Sequence, residues 1–308
     1  PVSSNSTAIV SSTETIGTLT LAGGLSTVTA QFNATNAATL TIDNLVRANG
    51  GVALVNGVNL GRDATSTASV GRIFLTTAPT LIGTTDPLAT GLNATAKNTK
   101  IVPYLFGETT FSTGGLGTAG GTPGTFVTYT PTGGLRPLNP TDELSATLTA
   151  GDNISLTLAT AQTGNLSINA LRLGNTAAFT IDQAGNTLTV ASGAILSSNT
   201  VGVTISGGTL DFGAQEAVIA VNASPLTVSS AVTGSGGLTK FGASRLILSG
   251  ANTFTGALNV AGGTVSLGSA TAFPTATSTS VYGGTLDVGT AAFSAGALTF
   301  VPSGSQVA

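Results

Sequence analysis

Twelve acidic side chains are the first candidates for chemistry in a chain of 308 residues that has no histidine and no cysteine. A glycosidase needs an acid and a base or nucleophile held apart across a sugar. Asp142 and Glu143 are the one adjacent acidic pair, and consecutive strand side chains point to opposite faces. They read as a turn or strand-start pair. Asp211 and Asp287 stand at matching places in a recurring segment, which argues for a repeated turn or surface role and against a unique active site. Without imidazole or thiolate there is no Cys-His pair, no His-assisted serine triad and little for a transition metal. Lys97, Lys100 and Lys240, the three lysines, have no distinctive serine beside them. No glycine pair continues into the Gly-Gly-x-Gly-x-Asp calcium pattern. No catalytic residue, metal site or cofactor is therefore expected.

Binding is the other chemistry to test. Phe74, Tyr104, Phe106, Phe126, Tyr129 and Arg136 gather in one stretch and are the candidates for a partner-binding surface; the aromatic members could equally form the small core of a separate β-subdomain. Lys240 and Arg245 read as exposed, solvated charges. Nine basic against twelve acidic residues give a net charge of -3 with no basic cluster. Nucleic-acid binding is thereby disfavoured. No apolar run is long enough for a membrane helix, so no direct membrane insertion is expected. The start at Pro1 without Met reads as a processed or cut chain.

The elements that would position these residues are strands. Glycine contributes 42 residues, charged residues only 7%, and mean hydropathy is +0.41. Small and β-branched side chains suit many thin cross-sections better than one thick core. Period-two runs bounded by Gly, Asn and Ser recur from about residue 145 onward, as in VTISGGTLDFG (203 to 213) and GALNVAGGTVSLG (256 to 268). Similar runs fill residues 14 to 45. Between them, residues 46 to 142 hold six of the nine basic residues and longer Gly/Pro/Asn/Thr stretches.

One element occurs three times, as SGGTLDFG, AGGTVSLG and YGGTLDVG, at separations of 55 and 21 residues. With about 20 residues per solenoid turn these are near three turns and one turn. The pairs Gly207-Gly208, Gly262-Gly263 and Gly283-Gly284 are then repeat turns, and Leu210, Val265 and Leu286 are inward repeat positions. Stacked turns complete each other's backbone hydrogen bonds.

The stretch 231 to 270 resembles the autotransporter-associated β-strand repeat of large exported bacterial proteins. Gly236, Gly237, Leu238, Lys240, Gly242, Leu246, Leu248, Ser249, Gly250, Asn252, Thr253, Thr255 and Gly256 occupy its pattern. Ser244 and Arg245 stand where Gly and Thr are usual, and Phe254 where Tyr is usual. The resemblance carries no catalytic or ligand role. It implies an all-β chain, a right-handed parallel β-helix (β-solenoid) with an inserted loop-rich module. The expected divisions are N-terminal rungs 1 to 45, an inserted module 46 to 142 and a C-terminal solenoid 143 to 308.

Three functions compete. The first is a non-enzymatic extracellular or cell-surface structural protein, the building block of a filament, sheath or surface layer, whose partners are other copies of itself or neighbouring repeats. The second is an adhesin binding a surface glycan through residues 46 to 142. The third, a polysaccharide-active β-helix, would require carboxylates converging on one groove.

Overall fold

The computed structural model describes residues 12–30, 38–57, 59–61, 70–87, 95–108, 123–174, 176–270, 272, 278–290, 296–301 and 306–307. These residues form strands, turns and bends without a helix. The expected all-β, parallel, stacked architecture is what the structure shows, in two parts.

The first part winds between two sheets. Ser12–Leu21, Ala38–Arg47 and Gly71–Leu75 pair in parallel, and so do Leu25–Ala30, Val52–Gly57 and Leu105–Gly107. The chain alternates between them, giving three turns. Leu21, Ile42, Val55, Ile73 and Leu105 fill the interior between the sheets. The strand Ala38–Arg47 passes through residue 45, where the sequence suggested a division, and pairs with Gly71–Leu75 beyond it. A hairpin, Thr125–Thr130 and Gly134–Pro137, then extends the second sheet in antiparallel fashion. Its turn needs glycine: Gly134 has φ +77, and a Cβ there would meet the Ile73 carbonyl oxygen at 2.4 Å.

The second part is a longer solenoid. Two parallel sheets of eight strands each run its length, and a third sheet has four. The first long sheet begins at Asn153–Leu156 and continues through Ala194–Ser197, Ala217–Val221, Leu238–Phe241 and Ala257–Val260. The second includes Phe179–Asp182, Val203–Ser206, Leu226–Val228, Arg245–Leu248, Gly263–Leu267 and Gly284–Asp287. Pairing in register stacks like on like: Val203 on Leu226, Leu226 on Leu246, Leu246 on Val265, Val265 on Leu286. These columns form one continuous apolar interior. Each turn closes the backbone hydrogen bonds of the one before, so stability accrues through neighbour contacts.

The third sheet ends at Ala231–Thr233, but its side of the solenoid continues without regular strands. There the side-chain oxygen of Asn252 accepts from the Val232 amide at 2.9 Å, and its Nδ2 donates to the Ala272 carbonyl. One buried side-chain amide thus bridges consecutive turns where a backbone ladder is missing.

Candidate functional site: a covered face and a repeat corner

The two long sheets differ on their outer faces. The second shows the period of a half-buried strand, with Thr180 and Asp182 exposed between buried Phe179 and Ile181. The first is buried on both faces along Ala194–Ser197, Ala217–Val221 and Leu238–Phe241. Its outer face carries Ala170, Ala194, Leu196, Val218, Ala220, Phe241 and Ala261, and the first part of the chain lies against it. Small side chains let the two backbones approach closely. Phe106 packs on Phe241 with ring centroids 4.9 Å apart and on Phe126 at 6.0 Å.

Polar contacts fix this face along its length. Asn153 Nδ2 donates to the Thr99 carbonyl at 2.9 Å, and Arg172 Nε donates to the Gly124 carbonyl at 2.7 Å. Further along, Arg47 pairs with Glu216, lies 4.9 Å over the Tyr104 ring and donates through Nε to the Gly51 carbonyl. Glu216 also accepts from Thr239 Oγ1. Burial raises the Tyr104 pKa, and the Arg47 charge works against that shift. Gly50 faces Thr239 and Asn259, and Gly23 faces Tyr282, in each case too closely for a Cβ. The first part therefore lies alongside the solenoid, reaching from its first turn to its seventh strand of the covered sheet.

This arrangement corrects the candidate binding surface. Phe106, Phe126, Tyr129 and Arg136 are buried, leaving Phe74 and Tyr104 half-buried. Phe106 and Phe126 are spent on the contact with the solenoid, and Tyr129 Oη donates to the Leu75 carbonyl at 2.7 Å. Arg136 forms a two-pronged pair with Glu143, at 2.6 and 2.8 Å, in which both side chains are at most 3% exposed. The adjacent acids Asp142 and Glu143 thus separate, one outward and one locked on an arginine.

Gly207, Gly208, Gly262 and Gly283 lie between consecutive strands, Gly263 and Gly284 begin the strands that follow, and Leu210, Val265 and Leu286 are each fully buried. They do not all share one corner. Val265 stacks on Leu286, and Gly263 on Gly284, one turn apart. Leu210 instead stacks between Leu188 and Val232 in the third sheet. The 55-residue spacing therefore joins two different corners and is not three whole turns. Asp211 and Asp287 are likewise unrelated in space: the first accepts from Thr233 Oγ1 at 2.6 Å, the second from Ser266 Oγ at 3.1 Å.

Lys240 departs furthest from expectation. It is fully buried, and its Nζ donates to the carbonyls of Gly242 at 2.7 Å, Gly262 at 2.8 Å and Ser244. The exposed reading fits only Arg245, whose guanidinium lies 3.7 Å from Asp287. A groove at the first turn, lined by Thr147, Leu148, Thr160, Gln162, Asn165, Leu166 and their neighbours, contains no ionisable side chain. No group of three metal-ligating side chains occurs among the described residues.

Residues 238–267 match the family model of the passenger-associated-transport-repeat. Over this segment the chain is similar to that repeat. That segment contains both Lys240 and Asn252, and it runs through two successive turns of the solenoid. Over 88 residues, 29% of its length, the chain is 39% identical to the protein named "Adhesin BmaC autotransporter" from Brucella suis biovar 1 (strain 1330). It spans only 2% of the length of that relative. No solved structure matches the chain.

Proposed function

We propose that the chain is a non-enzymatic segment of an exported bacterial surface protein of the adhesin type, in which the solenoid serves as a scaffold. The observation that carries this reading is the passenger repeat at 238–267, set inside a continuous stack of turns, in a chain 39% identical over 88 residues to a protein named as an autotransporter adhesin. The chemistry of the acids agrees with it, since Glu143 and Glu216 are engaged by arginines and Asp211 and Asp287 by hydroxyls. Display of the chain on a non-adherent bacterium, behind an outer-membrane translocator, tests the reading. Adherence to host cells or matrix above that of the translocator alone is the expected result; equal adherence counts against an adhesin role. Within this reading, a glycan contact through the first part of the chain rests on Phe74 and Tyr104.

Self-association is a second reading, favoured by the sparse charge of the chain, 7% of its residues, which leaves little electrostatic repulsion between copies. Electron microscopy of the purified chain is the test: regular polymers support a filament or sheath, and monodisperse rods oppose it.

A further inference from the structure

Three backbone carbonyls converge on one nitrogen at the corner between the two long sheets. Gly242 and Ser244 belong to the turn after Leu238–Phe241, while Gly262 belongs to the equivalent turn of the next rung. The Lys240 stem reaches them from inside, standing in register with Ile219 and Val260. Gly263 walls the site: a Cβ there would lie 2.3 Å from Lys240 Nζ and 2.4 Å from the Gly242 oxygen. Its φ of +62 would strain any other residue independently of space. Backbone carbonyls gathered without a carboxylate are the donor set that replaces water around a weakly hydrated monovalent cation.

We propose that the carbonyls of Gly242, Ser244 and Gly262 form a monovalent-cation site, that the protein's own Lys240 ammonium is its resident occupant, and that the emptied site takes up a small alkylammonium ion from solution. An ammonium has three N–H donors and satisfies all three oxygens; a neutral amine has two and turns its lone pair on the third. Burial by itself pushes the Lys240 pKa down to about 7; three hydrogen bonds to the charged form act in the opposite direction, and on this proposal they keep the ammonium protonated. Among the described residues no carboxylate faces the site from the elements packed on it: Ile219 and Val260 are apolar, Glu216 bonds to Arg47 and Thr239 on the outer face, and Asp287 lies towards Arg245. Every residue of the site falls within the matched repeat, 238–267. The cation is therefore a property of the repeat unit, tying one rung to the next. An exported chain passes between media of different salt content, and a covalently attached cation closes the corner in all of them.

The test begins with Lys240→Ala in the full chain, followed by thermal unfolding in methylammonium, ethylammonium or propylammonium chloride, with choline chloride at equal ionic strength as reference. The variant is expected to melt at least about 3 °C below the parent. Ethylammonium or propylammonium should then raise its midpoint in a concentration-dependent manner, leaving the parent at its choline value. An equal response of variant and parent, or of alkylammonium and choline, overturns the proposal. Nitrogen-15 NMR of the unmodified chain is independent of any variant: a slowly exchanging three-proton ammonium signal for Lys240 is expected through about pH 8, and a neutral amine signal at pH 7.5 overturns the proposal. Stability against pH gives a third readout. A folded value near 7 against 10.5 in the unfolded chain would make stability rise with pH across that interval, because the unfolded chain would hold a proton the folded one had lost. The proposal expects the profiles of the parent and Lys240→Met to run parallel from about pH 6 to about pH 9, and a rise confined to the parent overturns it.

Discussion

The two long sheets of the solenoid are built from the same turns, share one apolar interior and carry eight strands each, yet they meet different surroundings. One shows Thr180, Thr204 and Thr227 on its outer face; the other buries Leu196, Val218, Ala220 and Phe241 beneath the first part of the chain. Inward residues specify the solenoid in both cases. The outward ones decide what lies against it, so the architecture and its attachments are encoded in alternate positions of the same strands.

A carboxylate placed on each outer face separates the two sheets most strongly. Ala220→Asp buries a charge without a partner and should cost about 3–5 kcal/mol in urea unfolding. Thr204→Asp, on the open sheet, should stay within about 0.5 kcal/mol. Similar losses from both would show that the covered face is not distinct. Truncation tests the same contrast in apolar terms: Phe241→Ala should cost about 3–5 kcal/mol, and the half-buried Ile247→Ala less than about 1.5 kcal/mol. If the first part of the chain is anchored through Phe241, limited proteolysis should also release it faster in that variant. The smallest effect is expected from the ion pair that borders the contact. Arg47 and Glu216 have side chains 21% and 20% exposed. A double-mutant cycle with Arg47→Ala and Glu216→Ala should give a coupling of about 0.2–1 kcal/mol, falling as salt is raised. A larger, salt-insensitive coupling would mean that the pair is sealed from water.

The solenoid was legible because its signal is local. Alternation in VTIS and TLD, with glycine where φ is positive, is enough to place Val203, Ile205 and Leu210 inward. Assignment to corners was not, since Gly207 and Gly263 meet the same backbone demand at different sides of the coil. The covered face had a signal in the unbroken apolar run Ala217–Val221, which departs from alternation as a doubly buried strand must. What covers it depends on contacts more than a hundred residues apart, such as Phe106 with Phe241. Lys240 stands two residues from the inward Leu238, a period-two signal for the interior that its charge masks. Carbonyl oxygens that no sequence pattern displays offset that charge. The role of Asn252 was hidden for the same reason: its partners, Val232 and Ala272, lie 20 residues to either side.

The first part of the chain, lying beside the solenoid, gives the rod a mechanical direction. Resistance to bending grows with the amount of material far from the neutral axis. Added on one flank alone, this part stiffens the rod most in the plane that contains both bodies and least across it. A sideways force on such an object would meet a hard direction and a soft one, and the soft one is set by the sheet that carries the alanines.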